Sequence, residues 1–250
     1  MTDLARDKKT YGLLETAKTV LYAVLIALVV RTFAYEPFNI PSGSMKPTLL
    51  VGDYLFVSKF SYGYSRYSLP FGLPLIPGRI FFTPPKRGDV VVFKLPTDNK
   101  TDYIKRIIGL PGDRIQMKQG RLYINDQEIE RDPVGAELIE NSLGGRQKVI
   151  RYTEVLPEGK RHPIYEISDS MPLDNTGVYE VPPGHYFCMG DNRDSSQDSR
   201  VSDEVGFVPA KNLVGRAEFL FFSTDGSAAW WEVWKWPFAA RFSRFFHGIN

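Results

Sequence analysis

The sequence is poor in cysteine and in histidine. Its 250 residues contain one cysteine, Cys188, and three histidines. A single cysteine excludes an intrachain disulfide and any metal site built from several cysteines. Three histidines leave little room for a Ser-His-Asp triad or a three-histidine zinc site. Any catalytic groups are therefore expected to be lysine, carboxylate or serine side chains. We expect no metal and no other cofactor.

The chain also lacks an excess of charge of either sign. Its 31 lysines and arginines nearly balance 29 aspartates and glutamates, and the net charge is +2. This is far from the basic surface typical of nucleic-acid binding. Hydrophobic residues at 43% exclude a disordered chain, and 21 glycines with 18 prolines favour turns and short strands. We predict a mainly β fold and no nucleic-acid partner.

An apolar segment lies near the N-terminus, at residues 13–35. Its uncharged stretch, Thr19–Val30, is short for a membrane-spanning helix, but Lys18 and Arg31 at its ends can extend towards the lipid interfaces. A retained anchor, a cleaved signal peptide and a buried core helix are the three interpretations. Arg31 lies where a cleavage region would be uncharged, which argues against cleavage.

The charges around this segment predict its orientation. Arg6, Lys8 and Lys9 precede it. Positive residues stay on the cytoplasmic side of a membrane. We therefore expect residues 1–12 to be a cytoplasmic tail and the chain after residue 35 to be extracytoplasmic.

Short strands bounded by glycine, proline or aspartate follow the anchor. They are predicted at Tyr54–Val57, Asp89–Phe93, Tyr103–Ile108, His185–Met189 and Leu213–Phe222. Between them, residues 116–183 are polar, have little hydrophobic periodicity and contain a hairpin signal at Gly120–Ile129. We interpret residues 116–183 as an inserted, β-rich accessory subdomain. It divides the core of the fold into residues 36–115 and 184–222.

Two segments are rich in aromatic side chains. Ser61–Pro85 is a long loop of aromatic, glycine and proline residues. Residues 223–250 contain all four tryptophans, at positions 230, 231, 234 and 236, interleaved with basic residues. Tryptophan prefers the membrane interface, where its ring is half buried and its N–H stays hydrated. We favour a membrane-proximal segment over a core cluster, and we predict the lipid bilayer as a partner.

Two separate segments contain a candidate nucleophile and a candidate base. Ser42 and Ser44 lie in a turn-like segment just after the anchor, and a serine hydroxyl needs a base within hydrogen-bond reach. Strand alternation places Lys105 and Arg106 on opposite faces, so one of these cations faces an apolar environment or a cleft. A buried lysine loses its proton more readily and can then act as a base. The alternative is an edge strand with both cations in solvent.

A third segment, Gly190–Arg200, contains three carboxylates, two arginines and three serines. It begins like a calcium-binding loop but lacks glycine at the sixth position and the distal glutamate, so we do not predict calcium there. Alternating arginine and aspartate residues can cross-link a loop through charge-assisted hydrogen bonds. Such a scaffold would leave Ser196 free to approach a specific partner.

Taken together and in this order, these motifs resemble type I signal peptidases, the bacterial leader peptidases of the Ser-Lys type. The matching stretches are PSGSM (41–45), KRGDVVVFK (86–94), DYIKRIIGLPGDRI (102–115) and GDNRDSSQDSR (190–200). The resemblance implies a membrane-anchored signal-peptidase/LexA-like β-fold with a transmembrane helix. It implies Ser44 as nucleophile and Lys105 as general base. The oxyanion hole would be formed by the Ser44 N–H and the Ser42 hydroxyl.

The resemblance also implies supporting roles, a substrate and a location. Ser196 would orient the lysine amine, while Arg106, Asp198 and Arg200 would brace the site. The substrate would be a secretory pre-protein whose extended cleavage region adds to a sheet edge. The candidate pocket residues are Phe38, Ile40, Leu55, Val92, Tyr103 and Ile104. The protein would be a single-pass protein of the bacterial inner membrane, with its catalytic domain on the periplasmic side.

Two other functions stay open. A self-cleaving regulator would use the same Ser-Lys chemistry, but the apolar anchor and the tryptophan-rich segment argue against it. An inactive, membrane-anchored β-module that binds extracytoplasmic peptides would need no chemistry at all. Cleavage of a pre-protein by the unmodified chain, but not by a chain lacking Ser44 or Lys105, separates these functions.

Overall fold

A computed structural model describes residues 2–140, 144–229 and 231–249, and their side chains from Leu14 onward except that of Phe71. Trp230, one of the four tryptophans predicted to lie at the membrane, is outside the described residues. The helices are α1 (Thr2–Phe33) and α2 (Trp236–Ala239). The strands are β1 (Tyr35–Asn39), β2 (Asp53–Ser58), β3 (Tyr64–Ser65), β4 (Arg79–Ile80), β5 (Val90–Lys94), β6 (Asp102–Gly109), β7 (Arg114–Lys118), β8 (Arg121–Ile124), β9 (Gln127–Glu128), β10 (Glu130–Glu140), β11 (Arg146–Val155), β12 (Arg161–Glu166), β13 (Tyr179–Glu180), β14 (His185–Met189), β15 (Val208–Pro209) and β16 (Leu213–Ser223).

Helix α1 is long and apolar enough to cross a membrane. Its 20-residue segment Leu14–Phe33 has a mean hydropathy of 1.6, and only 6% of its most apolar window is buried. An apolar surface of this size is unfavourable in water. The interpretation of this segment as a buried core helix is therefore wrong, and its exposure fits membrane anchoring.

A seven-stranded antiparallel sheet forms the body of the protein. Its strand order is β1-β2-β16-β5-β6-β14-β15, so β6 pairs with β14 across the whole polar segment between them. Runs of β-branched and aromatic residues favour strands, and the run Val90–Phe93 is buried throughout. The prediction of a mainly β fold with an N-terminal apolar helix is confirmed.

The two faces of this sheet pack into separate cores. Val90, Val92 and Ile104 belong to one apolar cluster. Val91 and Phe93 belong to another, on the opposite face. Because side chains alternate along a strand, neighbouring residues of β5 and β6 enter different environments.

The remaining long strands lie between β6 and β14 in the sequence. Strands β7, β8, β9 and β13 form a four-stranded sheet, and β10, β11 and β12 form a three-stranded sheet. The predicted hairpin consists of β8 and β9, joined by Asn125 and Asp126 at φ values of 53° and 66°. Asparagine and aspartate tolerate this left-handed conformation well. The subdomain boundaries at residues 116 and 183 stay a prediction.

Candidate active site

The serine loop, defined as residues 41–50, connects β1 to β2. Its hydrophobic residues Met45 and Leu49 are fully buried in the core cluster that also contains Ile40. The N–H of Leu50 donates to the carboxylate of Asp53 at 2.8 Å and closes the turn. The loop is therefore held by core packing at one side, which fixes the position of Ser44.

The side chains of Ser44, in the serine loop, and Lys105, in β6, are in contact although 61 positions separate them in the sequence. The Lys105 Nζ donates to the Ser44 Oγ at 2.6 Å. Ser44 is 9% exposed and Lys105 is 3% exposed. The amine and the hydroxyl are thus in direct contact and largely shielded from water.

Burial changes the protonation of Lys105. Loss of hydration lowers the pKa of its amine from 10.5 to about 8, against the opposing influence of Asp198 and Asp191. Among the described residues, no carboxylate forms an ion pair with this amine. The amine lies 5.5 Å from the centroid of the Tyr103 ring. The amine is therefore neutral in a larger fraction of molecules near neutral pH than an exposed lysine is.

The neighbouring Arg106 is also completely buried, but it is paired. Its Nε and Nη2 donate to the two oxygens of Asp191 at 2.9 and 2.8 Å, and its Nη1 donates to the carbonyl of Gly88 at 2.7 Å. Burial raises the pKa of Asp191, but the charge of Arg106 outweighs this and holds it below its ordinary value. The interpretation of an edge strand with both cations in solvent is therefore wrong.

A second buried ion pair lies within the loop that follows β14, here named the acidic loop (residues 190–200). Arg200 donates from Nε and Nη2 to the two oxygens of Asp198, both at 2.9 Å. The N–H of Gly190 donates to the same carboxylate at 3.1 Å. Burial raises the pKa of Asp198, but the charge of Arg200 outweighs this and lowers it. This pair closes the acidic loop on itself.

Asn192 fastens the acidic loop to the serine loop. Its backbone N–H donates to the carbonyl of Ser44 and its side-chain amide to the carbonyl of Gly43, both at 3.0 Å. Thr48 donates to Asp191 at 2.5 Å. Sequence reasoning missed both Asp191 and Asn192. The need of a buried Arg106 for a carboxylate partner could have indicated Asp191, whereas no spacing indicates Asn192.

Ser196 lies near the backbone of Ser44, on the other side of Gly190, and its side chain makes no hydrogen bond to Ser44 or Lys105. It is 7% exposed, and its hydroxyl has no hydrogen-bond partner among the described residues. A Cβ atom at Gly190 would lie 2.2 Å from the Ser196 Oγ and 2.5 Å from the Ser44 carbonyl oxygen. The approach of these two serines therefore requires glycine at position 190.

Two hydrogen-bond donors lie close to the Ser44 hydroxyl. The Oγ of Ser42 lies 3.5 Å from the Oγ of Ser44, and Ser42 is exposed. The backbone N–H of Ser44 donates to no acceptor within the described part of the chain. Both groups are available to a carbonyl oxygen placed next to the hydroxyl.

The six candidate pocket residues do not form one surface. Ile40, Leu55 and Val92 are buried in the core, and Phe38 and Ile104 pack against them while partly exposed. Tyr103 lies in the other cluster, with its ring 6.1 Å from that of Phe93. Only Phe38, Tyr103 and Ile104 therefore offer accessible side-chain surface.

The three-stranded sheet reaches the acidic loop through a buried ion pair. Arg193 donates to Glu154 of β11 at 2.7 and 2.5 Å, and His162 of β12 lies 3.3 Å from the same carboxylate. Burial raises the pKa of Glu154, but Arg193 outweighs this and holds it far below its ordinary range. No sequence signal indicated this contact, because the segment lacks clear periodicity.

Comparison with known proteins identifies the class and then the family. The family model described as Signal peptidase, peptidase S26 matches residues 13–222. The signal peptidase I of Rickettsia typhi is 48% identical over 219 residues, covering 84% of this chain and 80% of that protein. That of Rickettsia conorii is 47% identical over 219 residues, covering 84% and 79%.

Among solved structures, a signal peptidase I from Enterococcus faecalis V583 aligns with a TM-score of 0.31 and 24% identity, covering 54% of this chain and 97% of that chain. The global superposition is weak, and the sequence matches carry the assignment. The protein is a serine endopeptidase, so the prediction of an enzyme is confirmed. The chain belongs to the signal peptidase I family.

Proposed function

We propose that this enzyme removes N-terminal signal peptides from exported pre-proteins, with Ser44 as nucleophile and Lys105 as general base. The observation that carries the proposal is the 2.6 Å contact between a buried amine and a hydroxyl. A pKa of about 8 gives that amine a usable neutral fraction near neutral pH. Membership of the signal peptidase I family supports the substrate class.

Acylation begins when neutral Lys105 takes the proton of the Ser44 hydroxyl. The Ser44 oxygen forms a bond to the carbonyl carbon of the scissile peptide, and the carbonyl oxygen becomes an oxyanion. We assign the stabilisation of this oxyanion to the Ser44 N–H and the Ser42 hydroxyl. Preorganised donors of this kind are effective because they need no reorientation during the reaction.

The intermediate then collapses and the carbon–nitrogen bond breaks. The Lys105 ammonium returns its proton to the leaving nitrogen, which becomes the new N-terminus of the mature protein. The signal peptide is now an ester on Ser44. Lys105, neutral again, takes a proton from water as that water attacks the ester. Breakage of the ester bond returns the proton to Ser44 and releases the signal peptide as a carboxylic acid, which ionises.

The residues behind the pair keep the two loops together. We assign Arg106, Asp198 and Arg200 to bracing, since the Arg106–Asp191 ion pair holds the acidic loop against β6 and the Asp198–Arg200 ion pair closes that loop on itself. We assign Ser196 to orienting the lysine amine. Its hydroxyl is buried next to Gly190 and has no other partner among the described residues, so it is available to the amine.

The substrate would bind as an extended strand with a small residue at alternate positions. Phe38 and Ile104 are partly exposed at the edge of the apolar cluster and would form the walls of a shallow pocket. Ile40, Leu55 and Val92 would support these walls from the core. Tyr103 would limit space on the lysine side of the site. Such a pocket accepts alanine and refuses bulky side chains.

The bilayer is the second partner in this proposal. Trp234, Phe238 and Phe246 in the C-terminal segment are 65%, 88% and 77% exposed. Arg244 donates to the carbonyl of Thr48 in the serine loop at 3.0 Å and to the carboxylate of Asp53, at the start of β2, at 2.6 Å. Lipid contact by these rings would hold Ser44 at membrane level.

The same proposal fixes the topology of the chain. The helix segment Leu14–Phe33 would be the anchor, with residues 1–12 in the cytoplasm and the catalytic part on the periplasmic side of the bacterial inner membrane. The positive residues before the anchor support this direction. A cysteine introduced at position 126, in the exposed β8–β9 turn, should be labelled by a membrane-impermeant maleimide in spheroplasts. Protection of that cysteine until the membrane is disrupted would contradict the orientation.

The decisive experiment incubates the full chain in detergent with a pre-protein carrying a signal peptide. Wild type should shorten the substrate at a small-x-small site, and Ser44→Ala and Lys105→Ala should not. Lys100→Ala, at an exposed lysine, is the matched control and should cleave normally. Equal processing by all variants would contradict the proposal. Loss of mass from the enzyme itself during the assay would favour a self-cleaving regulator.

A further inference from the structure

Three carboxylates converge behind the acidic loop, away from Ser44 and Lys105. Glu166 ends β12, Asp174 lies in the connection that follows, and Asp194 belongs to the acidic loop. Each contributes an oxygen within 4.8 Å of those of the other two. Carboxylates at such distances repel one another unless a positive charge or a proton lies between them.

The oxygens of this cluster lack the donors that buried carboxylates normally have. Glu166 is 1% exposed and Asp174 is fully buried. Both oxygens of Glu166, the Oδ1 of Asp174 and the Oδ1 of Asp194 have no hydrogen-bond partner among the described residues. Buried polar atoms in native proteins are nearly always hydrogen-bonded. Glu166 Oε1 has an ion-pair neighbour in Arg131, and the other three oxygens, which have no partner among the described residues, indicate a missing ligand.

The nearest cation neutralises only part of the charge. The Nη1 of Arg131 lies 3.0 Å from the Oε1 of Glu166, while its Nη2 pairs with Asp169 at 2.6 Å. One guanidinium is thus divided between two carboxylates. When ionised, the three clustered carboxylates keep a surplus of about two negative charges even if Arg131 is counted entirely for them.

Backbone donors already hold the other oxygens of the two aspartates. The Oδ2 of Asp194 accepts from the N–H of Ile167 at 2.6 Å, and the Oδ2 of Asp174 accepts from the N–H of Met171 at 2.5 Å. These bonds fix both carboxylates and leave their Oδ1 atoms unpaired. An oxygen-only donor set with fixed orientation is the kind that hard divalent cations such as calcium prefer.

We propose that Glu166, Asp174 and Asp194 bind one hard divalent cation, with water completing its coordination. The cation would join the end of β12, the following connection and the acidic loop. Its ligand in the acidic loop, Asp194, lies two positions before Ser196. Its role is structural: it would hold the acidic loop in place, and it takes no part in peptide-bond cleavage. The sequence did not indicate it, because the ligands come from three separate segments and follow no loop motif.

The test uses the full chain in detergent after treatment with a chelator and its removal. Titration with calcium chloride, followed by calorimetry, should show one bound ion per chain with a dissociation constant below about 1 mM. Calcium should also raise the melting temperature of the chelated protein. Magnesium chloride and manganese chloride, titrated in separate runs, identify the preferred ion within this class.

The most informative variant is Asp174→Asn. It keeps the acceptor for the Met171 N–H and removes one negative charge, so calcium affinity should fall at least about tenfold, equivalent to about 1.4 kcal/mol. Without calcium, this variant should melt no lower than the chelated wild type, because a repulsive charge is gone. The matched control, Asp132→Asn, changes an exposed carboxylate of β10 paired with Arg161 and should bind calcium as wild type does.

Three results would overturn the cation site. The first is the absence of binding of all three ions up to about 10 mM, roughly ten times the highest dissociation constant expected. The second is equal affinity in wild type and Asp174→Asn, and the third is an equal loss of affinity in Asp132→Asn. A proton shared among the carboxylates would give the first result. If Asp174→Asn does not fold, Glu166→Gln is titrated under the same criteria. Ser44→Ala should bind calcium normally, so failure of the cation site and failure of the peptidase proposal are distinguishable.

Discussion

Lys105 and Arg106 are neighbouring basic residues of one strand, and both are buried. They differ in the group that each side chain contacts. The amine of Lys105 contacts a neutral hydroxyl, and burial lowers its pKa to about 8. The guanidinium of Arg106 contacts both oxygens of Asp191. Burial by itself therefore does not decide whether a side chain keeps its charge: a guanidinium stays protonated and here has a carboxylate partner, whereas a buried amine without such a partner loses its proton more readily.

The difference separates reactivity from support. An amine without a carboxylate partner is costly to bury in its charged form, so it loses its proton more readily, and this supports the proposed role of Lys105 as a base. A guanidinium with a bidentate carboxylate partner stays charged, and the pair fixes the relative position of the two segments that it joins. Adjacent residues of β6 thus have different proposed roles: Lys105 reacts on one face of the strand, and Arg106 braces the site on the other.

Lys105→Arg should abolish the reactive face while keeping a positive charge there. A guanidinium stays protonated at any working pH and cannot accept the Ser44 proton. We expect kcat/KM for pre-protein cleavage to fall about 10⁴-fold or more, as far as in Lys105→Ala. The measurement is the initial rate of precursor cleavage. A Lys105→Arg variant within tenfold of wild type would show that no neutral amine is needed.

Asp191→Asn should break the bracing face. It leaves the buried Arg106 charge without a carboxylate, and such changes lower the free energy of unfolding by about 3–5 kcal/mol. Denaturant unfolding of the detergent-solubilised protein measures this. Asp102→Asn removes the partner of Lys94 at the end of the same strand, where the pair is partly exposed. That control should cost less than about 1 kcal/mol, and an equal cost in both variants would contradict the contrast.

Ser42→Ala should reduce turnover without altering stability. Removal of one preorganised oxyanion donor typically lowers kcat by about 10²- to 10³-fold. Because Ser42 is exposed, the free energy of unfolding should stay within about 0.5 kcal/mol of wild type. Ser42→Thr retains a hydroxyl and should recover most of the rate. If Ser42→Ala turns over normally, the Ser44 N–H acts without this partner.

Lys105→Met should stabilise the protein while inactivating it. The difference between the ordinary pKa of 10.5 and about 8, at about 1.4 kcal/mol per pH unit, corresponds to a gain of about 3 kcal/mol. The folded state binds fewer protons than the unfolded state between these values, so wild-type stability rises with pH there. The gain should be complete below pH 8 and vanish near pH 10.5. Unfolding curves across this range measure it, and a gain independent of pH would exclude the titration as its cause.

The strands could be predicted well from local pattern, because their cause is local. The strand His185–Met189 coincides with its prediction, and the strands at 53–58, 90–94, 102–109 and 213–223 differ from theirs by at most one residue at either end. Each is a run of β-branched or aromatic residues bounded by turn formers. The helix at the N-terminus follows from its unbroken apolar stretch. The polar segment between β6 and β14 has little hydrophobic periodicity, so its long strands β10 and β11 were not predicted individually.

The site was predictable only in part, for a different physical reason. Alternation separates Lys105 from Arg106, but it cannot show that both are buried, since the partner of Arg106 lies 85 positions away. The pairing of Ser44 with Lys105 came from the resemblance to signal peptidases and not from spacing. The contacts of Arg193 with Glu154 and of Asn192 with the serine loop depend on how separate segments pack, which no local pattern encodes.

The protonation of Lys105 in the resting enzyme is the central claim, and it can be measured directly. Full-length protein labelled with ¹³C-lysine, with the Lys105 signal assigned by its absence in Lys105→Met, is titrated by NMR. The account predicts a midpoint near pH 8 for the Lys105 ε-methylene shift, coinciding with the rise of kcat/KM with pH. A midpoint at the ordinary value of 10.5 would contradict it.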